Sequence, residues 1–294
     1  MGTSLLRPKK MLMFSFIVIA AIAIVEVVGG ILSNSISLVS DAVHMFTDVM
    51  AIGLSLFAIT MAARSHSGAM TYGYHRVEVM VALANGIALG AISLWVLYEA
   101  FLRVMSPHII DAPLLLLTAT IGLAGNLAVL FLLKHHARKS ININSAFIHV
   151  VYDTISSVAV IVTGFIALNT GITVVDALVA FMISGLVARS AYSIVRSSTH
   201  ILLEGAPSKL DTQEILTTLK QLNGVVDVHD LHIWTISTGM DALSGHVVIR
   251  DQMLSESSKI LSEINTVLVE RYNITHSTIQ LEHEREIPFK RKIK

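Results

Sequence analysis

The chain has no cysteine among its 294 residues. That excludes a disulfide framework and any thiolate metal site. A bound metal would have to be held by His, Asp, Glu or backbone oxygens. Charge is also scarce. Asp, Glu, Lys and Arg make up 14% of the chain, against about a quarter in a typical soluble domain. The charge that is present is balanced, 21 basic residues against 21 acidic, so net charge points to no acidic partner. No basic, aromatic-interleaved patch offers a surface to nucleic acid. What the chain has in abundance is apolar side chains, 53% of all residues. A bilayer is therefore the expected main solvent. The 13 histidines become the residues to follow.

A helix needs about 20 apolar residues to cross a hydrocarbon core. Six stretches qualify: Met11 to Leu32, Ile36 to Ala62, Val79 to Leu102, Ala112 to Leu133, Ala146 to Leu168 and Val174 to Val195. Turn chemistry separates them at Ser33-Asn34-Ser35, Ser106-Pro107-His108 and Asn169-Thr170-Gly171. Basic residues alternate from break to break. Arg7, Lys9 and Lys10 precede the first span. Arg64 and Arg76 follow the second, Lys134, Arg138 and Lys139 follow the fourth, and Arg196 ends the sixth. The positive-inside rule then puts both termini in the cytoplasm. The first span is long for a signal-peptide core, contains Glu26 and lacks a clear cleavage site, so it reads as a retained helix.

The composition turns polar after Gly205. Asp211 to Leu222 and Ser255 to Tyr272 read as amphipathic helices. Val225 to Ile236, Ala242 to Arg250 and Thr275 to Glu282 read as strands. The expected organisation is a six-helix membrane domain over 1–204, a cytoplasmic α+β domain over 205–285 and a basic tail over 286–294. Helix, two strands, helix, strand suits a small open-faced sandwich of the ferredoxin-like, metallochaperone-like kind.

Ionisable groups inside a bilayer are costly, so each needs a reason. The second span holds Asp41, His44 and Asp48, and the fifth holds His149 and Asp153. His44 and Asp48 are four apart and share a helix face. His149 and Asp153 repeat the spacing and the order. Facing helices would present two imidazoles and two carboxylates to one point, a set that suits tetrahedral Zn²⁺. Co²⁺, Cd²⁺ and Ni²⁺ remain open, because raw affinity discriminates poorly. Helix-packing hydrogen bonds and a bis-histidine haem are the competing readings; the second copy of the pair weighs against the first, and a carboxylate one turn from each imidazole weighs against the second. Asp41, one turn before His44, reads either as a group orienting His44 or as part of a metal exit path. Asn85 and Asn126 read as interhelical hydrogen-bond partners, and Gly86 with Gly90 as a close-packing pair.

The stretch Ser40-Asp41-Ala42-Val43-His44-Met45-Phe46-Thr47-Asp48 resembles the second-helix motif of the cation diffusion facilitator family, in its zinc-transporting branch. Tyr72-Gly73-Tyr74-His75-Arg76-Val77-Glu78 resembles the family's start of the third helix. Ala146-Phe147-Ile148-His149, running on to Asp153, resembles its fifth-helix motif. Leu203-Glu204-Gly205-Ala206-Pro207, His229-Asp230-Leu231-His232-Ile233-Trp234 and Thr278-Ile279-Gln280-Leu281-Glu282 resemble its junction and cytoplasmic segments. The resemblance implies a homodimer that exports metal from the cytoplasm in exchange for protons. It implies that His44, Asp48, His149 and Asp153 are the transport ligands. His44 at the head of its motif resembles the zinc and cadmium branch rather than iron- and manganese-preferring relatives. The loop after the fourth span holds only His135 and His136, similar to prokaryotic members and unlike the His-rich loops of animal relatives. A prokaryotic cytoplasmic (inner) membrane is the implied location.

Further sites follow from the same resemblance. His66 and His75 are candidates for a loop metal site, against a reading as solvated loop histidines. His229, His232, His246, His276 and Glu282 lie at or near strand positions, and some of them are implied to form a regulatory zinc site. His229 and His232 are three apart and would face opposite sides of a regular strand. His232, His246 and Glu282 are therefore the expected set, with His283 as a surface residue. No organic cofactor and no enzyme activity are expected. A membrane metal sensor without transport, or a membrane metallohydrolase with three ligands and an open position, are the alternatives.

Overall fold

The computed structural model describes the backbone of residues 6–62, 70–137, 141–237 and 239–283. Within these, the side chains of 6–15, 48, 51–52, 54–60, 62, 135–137 and 141–146 fall outside the description. His66, the side chains of Asp48, His135 and His136, and the basic tail 286–294 thus lie outside the described residues. Backbone contacts divide the chain into two units, Met1–Phe57 with Ala82–Val195, and Ala58–Val81 with Arg196–Lys294.

A backbone in hydrocarbon must satisfy its own polar groups, and long helices do so. The described residues contain α1 (Leu6–Ser33), α2 (Ile36–Ala62), α3 (Arg76–Met105), α4 (Ala112–Ala137), α5 (Ile141–Thr170) and α6 (Val174–Leu202). Several outrun the apolar stretches in the sequence, because helical hydrogen bonding continues into polar flanks after hydrophobicity ends. All but α2 have long, apolar windows that meet the length and composition needed to cross a membrane. α2 carries Asp41, His44 and Asp48 along its 27 residues, and part of it lies outside the described side chains.

The outward faces are apolar: Ile31, Leu94, Trp95, Phe131, Phe165 and Leu186 are all well exposed. The interior holds a core of Leu38, Leu89, Leu115, Val160, Ile183 and Val187 from α2 to α6. Polar groups are buried beside it, among them Glu26, Asp41, Asn126, Asp153 and Asp176. This arrangement suits lipid outside and function inside. Gly86 lets α3 and α6 approach closely, since a Cβ there would come within 2.9 Å of Ile194 Cγ2. The expected small-residue pair of α3 thus faces α6.

Two polar knots fix the helix ends opposite the termini. Asn34 takes a left-handed turn (φ 56°) between α1 and α2. Arg103 of α3 donates to its carbonyl at 2.6 Å and to its Oδ1 at 3.0 Å. The second knot is Asp176, in the first turn of α6. It accepts hydrogen bonds from Ser35 Oγ at 2.6 Å, Ile36 N at 2.8 Å, Ser37 N at 3.3 Å and Ser37 Oγ. A carboxylate on α6 thereby caps α2, whose first amides have no intrahelical partner.

The second unit contains α7 (Thr212–Lys220), β1 (Val225–Ser237), β2 (Met240–Ile249), α8 (Leu254–Tyr272) and β3 (His276–His283). Asp211 caps α7 by accepting from the amides of Gln213 and Glu214. Asn273, left-handed at φ 56°, ends α8. β1 pairs antiparallel with β2, and β2 pairs parallel with β3, in the order β1-β2-β3. Ile215, Leu219, Ile260, Ile264 and Leu268 of the helices close the core on Val228, Ile233, Leu243 and Val247 of the sheet. Arg76 and Glu204 form an ion pair at 2.9 Å within this unit. Both partners are substantially exposed, so it contributes at most about 1 kcal/mol.

Candidate metal centres

α2 and α5 bring the repeated His-x-x-x-Asp pairs together. His44 Nε2 lies 3.6 Å from Asp153 Oδ1, and His149 Nε2 lies 3.8 Å from Asp153 Oδ2. The Asp153 carboxylate thus sits between two imidazoles from different helices, whose ring centroids are 5.9 Å apart. Two ligand atoms each about 2.0 Å from a tetrahedral ion stand about 3.3 Å apart. Each observed imidazole–carboxylate separation is within about half an ångström of that spacing. Asp153 is 1% exposed, whereas the His44 and His149 side chains are 29% and 38% exposed. The centre therefore has a buried anionic floor and an accessible imidazole rim. Asp48 belongs to α2, and its side chain lies outside the described residues.

Asp41 stands apart from this set. Ser156 Oγ donates to its Oδ1 at 2.5 Å and Ser157 Oγ to its Oδ2 at 3.2 Å. Asn126 Nδ2 of α4 donates in turn to Ser157 Oγ at 3.2 Å. Asp41 thus joins α2 to α5, and through α5 to α4. The expected interhelical role of Asn126 is met by Ser157. The two serines were not legible in the sequence, because a serine inside an apolar span carries no mark of its partner.

A second grouping lies in the sheet. His229 of β1 stands opposite His246 of β2 in the antiparallel register. Glu282 of β3 reaches both, with Oε1 2.5 Å from His246 Nδ1 and Oε2 3.0 Å from His229 Nε2. Among the described residues these three offer ligand atoms within 4.8 Å of one another. Two imidazoles and a carboxylate suit a divalent transition metal. The hydrogen bond with His246, and after it that with His229, holds the Glu282 carboxyl below the usual glutamate range.

The sequence favoured His232 for this set, and the structure puts His229 there instead. The register slips between His229 and His232, where Asp230 adopts φ 52°. The extra residue is a β-bulge, which re-aims its neighbours. His232 turns to Asp230, with Nε2 3.2 Å from Oδ1, and Asp230 Oδ2 also lies 3.9 Å from His246 Nε2. His276 stacks against Tyr72 at 5.6 Å, and His283 lies 3.6 Å from Asp251. His75 is half-buried just before α3.

Both parts of the chain that carry these groupings match known protein families. Residues 12–203 match the cation efflux transmembrane domain, and residues 207–284 match the cation efflux protein cytoplasmic domain. A cadmium, cobalt and zinc/H⁺-K⁺ antiporter of Bacillus subtilis is 39% identical over 279 residues, covering 94% of this chain and 89% of its own. The metal cation efflux system protein CzcD of Cupriavidus metallidurans is 36% identical, covering 88% and 82%. The zinc transporter ZitB of Escherichia coli is 33% identical, covering 94% and 88%. The chain is therefore an integral membrane member of the cation efflux family, a family of transporters rather than enzymes, with a cytoplasmic α+β domain at its C-terminal end.

Proposed function

We propose that the protein exports Zn²⁺, with Cd²⁺ and Co²⁺ as further substrates, from the cytoplasm in exchange for protons. The metal is held by His44, Asp48, His149 and Asp153 during alternating access. The observation that carries this reading is the Asp153 carboxylate between His44 and His149, on two different membrane helices. A site shared between helices opens and closes as they rock. Relatives named as cadmium, cobalt and zinc antiporters, and one named as a zinc transporter, support the chemistry. Ligands must be deprotonated to bind metal, so metal and protons compete for the imidazoles. A homodimer in a prokaryotic cytoplasmic membrane is the setting we assign. The test is zinc flux into dye-loaded proteoliposomes. Imposing a pH gradient should drive it, and collapsing the gradient should stop it; flux indifferent to the gradient would remove proton exchange from the reading.

We assign His229, His246 and Glu282 as a regulatory metal site of the cytoplasmic domain. Incoming metal would replace the two imidazole–carboxylate hydrogen bonds. Truncating one ligand should weaken binding there about tenfold or more. His229→Ala is expected to do so in metal titrations of the full-length protein, and His232→Ala is not. The opposite ranking would restore the set expected from strand alternation. The pH dependence follows from the ligands. Glu282 stays ionised well below neutral pH because its carboxyl is held down. Acid should therefore weaken binding, because protons compete with the metal for its ligand atoms.

A further inference from the structure

Glu26 is the buried group that the transport centre leaves unexplained. It lies on α1, is 0% exposed, and among the described residues neither of its carboxylate oxygens has a hydrogen-bond partner. α1 packs on α2 through Ile22, Ala23 and Met45, and on α4. The charges that act on Glu26 are Asp41 from α2 and Asp153 from α5. α4 faces it with Gly122, which brings no charge. No described basic side chain of α1 lies within the membrane beside it. A carboxyl group with neither donor nor counter-charge in such surroundings keeps company with a cation or with its own proton.

Two observations choose between these companions. Glu26 Oε1 presses on the bare backbone of Gly122 so closely that a Cβ there would overlap it. On that side the carboxyl leaves no room for an ion with its shell, while a proton needs no cavity. The second observation is depth. Glu26 lies seven residues before the end of α1, and Asp41 five residues into α2. At about 1.5 Å per residue, both stand about 10 Å or less from the outer helix ends, and His44 stands about 12 Å in. The acid therefore lies slightly outward of the metal centre and within electrostatic reach of its floor.

We propose that Glu26 carries one of the counter-transported protons, beside those that compete with metal at the imidazoles. The inference rests on the antiport reading above and names where that exchanged proton resides. The step is a simple protonation: the carboxylate takes H⁺ from the outer side and becomes the neutral acid, with no other bond made or broken. Protonation removes one negative charge from the neighbourhood of Asp41 and Asp153, and so loosens the hold on a divalent cation. Loading the next cation from the cytoplasm restores the demand for that charge and expels the proton. Glu26 acts on the metal through the field at Asp153 and does not ligate it.

The test uses the full-length protein, comparing native, Glu26→Gln and Glu26→Asp. Proton release on zinc binding is measured in weakly buffered detergent solution with a pH dye. Glu26→Gln should release about one proton fewer per metal than the native protein. Its gradient-driven zinc flux in proteoliposomes should fall about tenfold or more, and Glu26→Asp should restore pH-responsive flux. An unchanged proton count in Glu26→Gln overturns the proposal. A native protein whose zinc flux ignores the gradient would instead overturn the antiport reading, so the two failures are separable. If Glu26→Gln does not fold, the native protein answers alone. A hydrophobic carbodiimide should label Glu26, mapped by mass spectrometry, and zinc should suppress the labelling. Labelling indifferent to both zinc and pH overturns the assignment.

Discussion

Asp153→Ala should abolish metal transport, lowering zinc flux by about a hundredfold or more while the protein still folds and inserts. Asp153 is the residue on which both imidazoles converge, one on each carboxylate oxygen. Without it, the α5 half of the centre loses its anion, and His44 loses the group that faces it across the helix interface. A single lost metal ligand costs at least the 10–100-fold typical of mere supporting residues. Here the proposed ligand is itself buried. Zinc flux in proteoliposomes and zinc binding in detergent are the two readouts. Asp48→Ala should behave alike. Flux that survives both substitutions would make the repeated pairs structural and would remove the transport centre assigned here. His229→Ala is the internal contrast, because it touches only the cytoplasmic grouping and should leave binding at the membrane centre intact.

The second large effect is on stability. Asp176→Ala should destabilise the membrane domain by about 3 kcal/mol or more, since each hydrogen bond to a charged group contributes about 1.5–3 kcal/mol and several are lost together. The carboxylate receives two hydroxyls and two backbone amides from the first turn of α2, all buried. Truncation leaves those donors facing one another without an acceptor. For a domain of about 200 residues the change corresponds to a fall of roughly 6–12 °C in melting temperature, measurable on detergent-purified protein. Asp176→Asn keeps one acceptor oxygen and should fall in between. An Asp176→Ala protein that melts with the native one would mean that water or a neighbouring group takes over the amides.

Much of this was legible in the sequence. Each apolar stretch became a helix, since a bilayer leaves the backbone few other solutions. The α7, β1, β2, α8 and β3 segments fell close to their expected places; burial follows the helical period along α8 and alternates along most of β3. The membrane centre was legible because a costly pattern occurs twice: His44 with Asp48, and His149 with Asp153. The sheet site was only half legible. Alternation correctly forbade His229 and His232 from sharing a regular strand, but a one-residue bulge at Asp230 is set by tertiary pairing, and it decided which histidine meets Glu282. Glu26 was visible as a polar group within a span. Its isolation was not, because that depends on what α2, α4 and α5 bring beside it.

The Asp176 knot also sets the mechanics of the site. With its first turn fastened to α6, a tilt of α2 would pivot at its outer end. His44 then rides at a radius of about 12 Å and the Asp48 backbone at about 18 Å. A rocking of about 10° would carry them about 2 Å and 3 Å, many times the few tenths of an ångström that a metal coordination sphere tolerates. In the transport proposed here, a fixed fulcrum would let a small tilt, far short of a domain rearrangement, serve as the release stroke.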